Sequence, residues 1–224
     1  MLKKNNLIVF DIDGTLTESV QVHQKGFIHS LKQLGVQNID SNFKEYKHHT
    51  DSFIAKKIYE SDKKEAFSKS IIEEFEQLLS NFIKTKSITE IAGAQKTVEY
   101  IEKHTDFGVC YATGSLLIPA MFKLDSIGLK YNNEQLTASN TIEDRESIVL
   151  QAIESAKSFY QTEKFDRIIS VGDGLWDLKT ALNLNLEFIG IGLKNKKVLI
   201  ENGMTVYFDN LTNFKIEKKV FNKV

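Results

Sequence analysis

Short apolar runs, each followed by a polar or glycine-containing turn, form the first regular pattern along the chain. Four runs are rich in β-branched and aromatic residues and predict buried strands at 7–10, 107–112, 167–171 and 186–191. Helix-patterned stretches follow at 95–103, 116–127, 143–159 and 175–182. This alternation is typical of a parallel sheet covered by helices on both faces, so the predicted class is α/β with a Rossmann-like core.

The segment between the first two strands breaks this alternation. It carries no convincing strand, but apolar residues such as Phe27 and Leu31 recur at helical spacing. We expect an all-helical domain at 19–89, inserted into a core made of 1–18 and 90–224. Since open α/β sheets bind ligands at the carboxyl ends of their strands, such an insertion would form a cap there. The alternative is an ordinary flanking helical layer.

Composition and charge narrow the class of protein. The chain has 224 residues, 42% of them hydrophobic, which is enough for a sizeable core. Its formal net charge is -1, so no overall field would recruit nucleic acid or a membrane surface, and we expect neither as a partner. No stretch predicts a membrane span or a signal peptide. Because Cys110 is the single cysteine, no internal disulfide can form, and we expect Cys110 in the core and the protein in the cytoplasm.

The first strand ends in two acids, Asp11 and Asp13, followed by Gly14. Residues two apart on a strand point to the same side, so both carboxylates can face one spot beyond the strand end. Two close negative charges repel each other, and a hard divalent cation such as Mg²⁺ would relieve that repulsion. A single acid would suit a helix cap or a solvated turn, but the pair favours a metal and phosphate site.

Two further strand ends carry polar groups. After the strand at 167–171 come Asp173, between two glycines, and Asp177 in the first turn of a helix. After the strand at 107–112 come Thr113 and Ser115, and hydroxyls with free N–H groups at a helix start bind anions. Thr113 and Ser115 could also be plain helix caps, and an acid such as Asp177 is favoured at any helix N-terminus.

Taken in order, the motifs DIDGTLT, YATGS and VGDGLWD, with a helical insertion after the first, resemble the haloacid dehalogenase superfamily. The resemblance is to its magnesium-dependent phosphatase branch with a helical cap, and it extends from Leu7 to about Gly192. It implies that Asp11 attacks phosphorus to form an aspartyl-phosphate and that Asp13 acts as general acid and base. The resemblance also implies metal binding by the side chains of Asp11 and Asp173 with the backbone carbonyl of Asp13, while Asp177 is either a further metal ligand or a residue that orients the ligands. It implies phosphate binding by Thr113, Gly114 and Ser115.

The same family requires a basic residue before the last motif, usually a lysine followed closely by proline. This chain has no proline there, and Arg145 is the best match, since it follows a short strand predicted at 135–139 and precedes a helix. In this role Arg145 would bridge the nucleophile and the phosphate. The alternatives are a solvated Arg145 paired with Asp144 or Glu146, and a role for Lys157 or Lys164 instead.

Other polar residues favour plainer interpretations. His48 and His49 lack metal-ligand spacing and predict a polar helix face, while Trp176 is expected to pack at a helix start. His23 and Lys25 follow the first motif, from where they could face the leaving group of a substrate.

The function that these residues favour is Mg²⁺-dependent hydrolysis of a small phosphorylated metabolite through an aspartyl-phosphate. Two alternatives share the fold: a phosphomutase, and a haloacid dehalogenase, which Asp13 disfavours because cleavage of a carbon–halogen bond needs no acid there. An alternative of another class is a non-catalytic binding or regulatory protein. The oligomeric state and the substrate are not predicted.

Overall fold

The computed structural model describes residues 2–216, and one parallel sheet of six strands lies at its centre. The strands are β1 (Asn6–Phe10), β2 (Phe107–Ala112), β3 (Leu136–Thr137), β4 (Arg167–Gly172), β5 (Glu187–Ile191) and β6 (Tyr207–Phe208). Their spatial order is β3-β2-β1-β4-β5-β6. The chain therefore winds outward in one direction from β1 and in the other from β4, and the crevice between those two strands is where such sheets bind ligands.

Eight α-helices lie in the described part of the chain: α1 (Val20–Gln33), α2 (Asp51–Lys63), α3 (Lys69–Lys84), α4 (Ala94–His104), α5 (Leu117–Ser126), α6 (Arg145–Phe159), α7 (Leu175–Asn183) and α8 (Lys196–Glu201). Of these, α4 to α8 pack on the two faces of the sheet, as the alternation predicts, and α1 to α3 belong to the insertion. In β1, Ile8 and Phe10 pack into one core cluster while Leu7 and Val9 pack into another on the opposite face. Cys110 is buried in the second cluster. The central strands are thus apolar on both sides, which explains their continuous hydrophobic runs.

Only helices and turns lie between Val20 and Lys84 in the described chain, and they have a hydrophobic cluster of their own. Phe27 of α1 and Phe75 of α3 meet edge to face, with ring centroids 5.1 Å apart. Leu116, just before α5, joins this cluster from the sheet domain. The insertion therefore packs around its own core and is anchored to the rest of the protein at the start of α5.

Several boundaries differ from the predictions. The strand predicted at 135–139 contains only Leu136–Thr137, and β6 and α8 were not predicted. The predicted helix at 143–159 begins at Arg145, because the side chain of Asp144 accepts a hydrogen bond from Ser147 N at 2.8 Å and caps it. None of the helices at positions 2–216 combines the length and the apolar character needed to cross a lipid bilayer.

Candidate active site

Three acids meet at the carboxyl ends of the two central strands. Asp11 follows β1, Asp173 follows β4 and Asp177 lies in the first turn of α7, and one carboxylate oxygen from each lies within 4.8 Å of the others. Gly14 makes this approach possible, since its φ is +85° and a Cβ there would lie 2.5 Å from Asp173 Oδ2. The turn after β1 and the turn after β4 are therefore fitted to each other around the acids.

The three carboxylates of the cluster lie close together in a buried place, and this raises the pKa of two of them. Burial, and then the neighbouring Asp177, raise the pKa of Asp11 to about 7. Burial, Asp177 and Asp11 likewise raise the pKa of Asp173 well above its ordinary value. Asp173 Oδ1 is buried and has no hydrogen-bond partner among residues 2–216. An all-carboxylate donor set with an unpartnered oxygen fits a hard divalent cation such as Mg²⁺.

Arg145 connects this cluster to α6. Its Nη2 donates to Asp11 Oδ1 at 3.0 Å and also to Asp177 Oδ1, and the residue is buried. Asp177 Oδ2 accepts from Gly174 N at 3.0 Å, so both of its oxygens have protein donors. The structure thus places Arg145 in contact with Asp11. The ion pairs of Arg145 are with Asp11 and Asp177, and not with Asp144 or Glu146.

Asp13 is not a member of the three-acid cluster and has a different partner. Lys123 of α5 donates to Asp13 Oδ2 at 2.7 Å, and Ser19 Oγ donates to Asp13 Oδ1 at 2.5 Å. Burial alone would raise the pKa of Asp13, but the ammonium group of Lys123 lowers it to about 2. Asp13 is therefore an ionised carboxylate with both oxygens held.

Two residues of the insertion reach the same spot. Lys123 Nζ also lies 2.9 Å from His23 Nδ1, and His23 Nε2 lies 2.8 Å from Asp51 Oδ1. His23 thus faces the cavity, while Lys25 is exposed and lines neither large cavity. The sequence interpretation missed Lys123 and Asp51.

The signal for Lys123 was its position. Leu116, Ala120, Lys123 and Leu124 follow the i, i+4, i+7, i+8 spacing of one helix face, and all four are buried. A charged residue on an apolar stripe needs a partner, because an unpaired charge is costly to bury. Asp51 had no comparable signal, since an acid at the start of a helix is common.

Thr113, Gly114 and Ser115 form one wall of the cavity beside Asp11. Thr113 Oγ1 accepts from Ser115 N at 3.1 Å, and Ser115 Oγ accepts from Lys123 at 3.2 Å. The hydroxyl hydrogens of both residues remain available for a ligand. A Cβ at Gly114 would lie 2.4 Å from His49 O, so this position needs glycine for close approach of the insertion.

The next N–H groups of α5 are already bound to protein oxygens. Leu116 N donates to Asp51 Oδ2 at 3.0 Å, Leu117 N to Asn140 Oδ1 at 2.7 Å and Ile118 N to Glu76 Oε1 at 2.9 Å. Any anion held by this loop is therefore bound by residues 113–115 and not by the first turn of the helix.

The cavity above Asp11 has a volume of about 140 Å³. On the side of the insertion its lining is mixed, with the apolar residues Val20, Phe27, Phe43 and Ile54 and the polar residues His23, Gln24, His49, Thr50 and Asp51. His49 stacks on Trp176 with ring centroids 4.7 Å apart. The predicted polar helix face for His48 and His49 is wrong, because Thr50 caps α2 and both histidines precede that helix. Burial, and then Arg145, lower the pKa of His49, which favours the neutral form of its ring.

The model of the family described as haloacid dehalogenase-like hydrolase matches residues 8–191. The chain belongs to the haloacid dehalogenase-like hydrolases. The matched range contains all eight residues to which the sequence analysis assigns site roles, so the resemblance drawn from three motifs is confirmed for most of the chain.

Solved structures agree with this family at the level of the fold. CbbY from Rhodobacter sphaeroides, solved in complex with phosphate, is 15% identical with a TM-score of 0.71, covering 95% of this chain and 96% of its own. β-Phosphoglucomutase from Clostridium difficile is 16% identical with a TM-score of 0.69, covering 96% and 94%. A predicted phosphatase from Clostridium acetobutylicum is 19% identical with a TM-score of 0.60, covering 91% and 93%. No curated protein matches this haloacid dehalogenase-like hydrolase in sequence.

Proposed function

We propose that this hydrolase is a Mg²⁺-dependent phosphomonoesterase that acts on a small phosphorylated metabolite through an aspartyl-phosphate. The observation that carries the proposal is the environment of Asp11. Its carboxylate lies between the cation of Arg145 and two further buried acids, at the floor of a cavity walled by anion-binding hydroxyls. Charge neutralisation and positioning of this kind are most of what phosphoryl transfer requires of a protein.

Each residue has a distinct part in this reaction. Asp13, ionised in the free chain, takes up a proton from solvent when the phosphate dianion binds beside it, because a nearby negative charge favours the neutral carboxyl. In the first half, a carboxylate oxygen of Asp11 attacks phosphorus, the bond from phosphorus to the ester oxygen breaks, and Asp13 passes that proton to the leaving alcohol. In the second half, water attacks phosphorus, Asp13 takes its proton, and the bond to Asp11 breaks to release inorganic phosphate. Arg145, Thr113, Gly114 and Ser115 hold the phosphoryl oxygens.

Asp11 and Asp173, with the backbone carbonyl of Asp13, are the residues that would hold Mg²⁺. When bound there, the ion supplies positive charge to the phosphoryl oxygens and to the crowded carboxylates. Asp177 has both oxygens on protein donors, which supports a role in orienting Arg145 as well as in completing the acidic site.

The insertion at 19–89 is proposed as the cap of this active site. Four apolar residues of the insertion line the cavity, where they would pack against the leaving group and exclude water. Arg145, the buried cation that lines the cavity, and Lys123, which contacts its lining residues Asp13 and His23, already pair with acids. A second phosphate on the leaving group would lack a partner at this depth, which favours a hydrolase with an uncharged leaving group over a phosphomutase.

The test uses an aryl phosphate with Mg²⁺, first for the wild-type chain and then for Asp11→Asn. We expect turnover that stops with EDTA and falls by at least about a thousandfold in the variant, because the nucleophile is lost. Asp166→Asn is the matched control, since Asp166 is exposed and precedes β4, at the end of that strand opposite to Asp173. Turnover that persists in EDTA or in Asp11→Asn would contradict the proposal, and interconversion of sugar phosphates would assign a mutase.

A further inference from the structure

Four buried or partly buried side chains form a continuous series of hydrogen bonds from the sheet domain into the insertion. Asp13 and Lys123 belong to the sheet domain, and His23 and Asp51 lie at the N-terminal ends of α1 and α2. The three links measure 2.7 Å, 2.9 Å and 2.8 Å in that order. Lys123 is fully buried, so no water competes for its ammonium group.

The number of hydrogen-bond donors on Lys123 determines the tautomer of its neighbour His23. An ammonium group has three N–H donors and no acceptor, and the three partners are Asp13 Oδ2, His23 Nδ1 and Ser115 Oγ. His23 must therefore accept at Nδ1, which leaves its proton on Nε2 to be donated to Asp51 Oδ1. Asp51 Oδ2 accepts from Leu116 N. A neutral His23 in the Nε2–H tautomer satisfies every group of the series.

We propose that Lys123, His23 and Asp51 are positioning residues that hold the carboxylate of Asp13 for its work on the attacking water. The proposal rests on the acid–base role that the proposed function gives to Asp13. The other oxygen of Asp13 is held by Ser19, the N-cap residue of α1, while Lys123 itself contacts His23 of the insertion. One oxygen is therefore held directly by the first residue of the insertion, and the other is linked to the insertion through Lys123. Docking of the insertion thereby completes the geometry of Asp13.

The position of the series argues against a purely structural role. A buried ion pair is on average no more stabilising than a well-packed apolar pair, so stability alone gives little reason for a lysine at this place. Asp13 and His23 line the same cavity as Asp11. Asp51 N also donates to Gly114 O at 2.7 Å, which ties the same residue to the anion-binding wall.

Asp51→Asn is the most informative variant, because asparagine has the same shape as aspartate but places an NH₂ group against one of two N–H donors. The partners of the two Asp51 oxygens are both N–H donors, whereas an asparagine side chain has only one oxygen and presents an NH₂ group to the other partner. If that NH₂ group faces His23, the ring must accept at Nε2 and carry its proton on Nδ1, directly against Lys123. A wrong histidine tautomer of this kind lowers kcat with little change in fold.

For Asp51→Asn we expect kcat for an aryl phosphate to fall at least tenfold while KM changes less than threefold. Since an aryl leaving group needs little help from an acid, the loss should lie in the second half of the reaction, seen as a burst of phenol and an accumulating aspartyl-phosphate. Asp62→Asn, at the other end of α2, is the control and should keep wild-type kinetics. An unchanged kcat, or a loss that lies only in KM, overturns the proposal.

A second measurement does not depend on turnover or on the folding of a variant. Nitrogen-15 NMR of histidine-labelled wild-type protein at pH 8, with His23 assigned by its absence in His23→Gln, should show the Nε2–H tautomer. The Nδ1–H tautomer or a cationic ring would overturn the proposal. Failure of the proposed function is recognised separately, by the absence of phosphatase activity in the wild-type chain or by its persistence in Asp11→Asn.

Discussion

Asp11 is the residue at which the opposing charges of the site meet. Arg145 contacts one of its oxygens, while Asp173 and Asp177 crowd the same space with negative charge. Burial and the charge of Asp177 together outweigh the single guanidinium, which is why the pKa of Asp11 is raised in spite of it. The folded chain therefore binds a proton at Asp11 more tightly than the unfolded chain does, and a divalent cation competes with that proton.

The first prediction concerns stability as a function of pH. The pKa of Asp11 rises from 3.8 to about 7 on folding, so without metal the folded state loses stability as the pH rises through that interval. The loss is on the order of a few kcal/mol. Since Mg²⁺ replaces the proton, the gain in Tm from Mg²⁺ over EDTA should be near zero at pH 5 and roughly 5 °C or more at pH 8.

Differential scanning fluorimetry with Mg²⁺ or EDTA at each pH provides the measurement. Asp173→Asn should reduce the gain at pH 8, because it removes one carboxylate of the cluster, whereas Asp166→Asn should leave it unchanged. A Mg²⁺ gain that is equal at both pH values, or that survives Asp173→Asn, would contradict the assignment of the cluster as a metal site.

At the residue scale, site residues that belong to a short sequence motif can be predicted from the sequence. Asp11 and Asp173 stand out because an acid that directly follows an apolar strand is costly to bury unless a cation or a ligand compensates its charge. Lys123 and His49 do not, since their partners lie far away in sequence: Lys123 contacts residues 13, 23 and 115, and His49 stacks on Trp176. Such contacts depend on how the insertion docks, and no local pattern encodes that.

Helix α5 is the element on which the insertion and the sheet domain meet. It has no side-chain cap of its own, and three residues from elsewhere bind its first N–H groups. Two of these, Asp51 and Glu76, belong to the insertion. Negative charge at a helix N-terminus is favourable, so docking of the insertion stabilises α5, and α5 in turn presents Lys123.

The second prediction follows from Glu76, which is buried between two donors. Its Oε1 accepts from Ile118 N, and its Oε2 accepts from Asn140 Nδ2 at 2.9 Å. In Glu76→Gln the amide NH₂ must face one of these donors. Asn140 cannot turn its amide without losing Leu117 N. We expect the free energy of unfolding to fall by about 1–3 kcal/mol.

Urea denaturation is the measurement. An unchanged m-value would show that wild type and variant expose the same surface on unfolding, so that their free energies can be compared. Glu74→Gln on the exposed side of α3 is the matched control and should change stability by less than about 0.5 kcal/mol. Equal stability of the two variants would mean that Glu76 does not cap α5 in solution.

Elements with strong periodicity were predictable, and those held by single contacts were not. The strand at Phe107–Ala112 has the predicted bounds, because six consecutive buried residues leave little ambiguity. β6 consists of two residues, Tyr207 and Phe208, that pair with the end of β5, and so short a strand has no period to detect. The shift of the start of α6 to Arg145 depends on one capping bond from Asp144.

At the scale of the whole molecule, charge is distributed unevenly although it nearly cancels in sum. The outer mouth of the active site is a second cavity of about 480 Å³ that shares His49, Arg145 and Trp176 with the inner one. Its lining includes four exposed lysines, Lys44, Lys47, Lys179 and Lys194. A cluster of positive charge at the entrance attracts a dianionic phosphate ester, even though the formal net charge is only -1.

The last prediction tests whether this entrance assists substrate capture. Changing the four mouth lysines together to glutamine lowers the formal net charge by four, from -1 to -5. We expect kcat/KM for a dianionic aryl phosphate to fall roughly threefold to tenfold at low ionic strength, with kcat unchanged, because only the encounter is weakened. Salt screens exposed charges, so at about 0.5 M salt the variant and the wild type should converge. The same change at four exposed lysines away from the mouth, Lys32, Lys84, Lys96 and Lys130, produces an identical net charge. If both quadruple variants lose activity equally, net charge and not the entrance governs capture; if neither does, the lysines have no part in it.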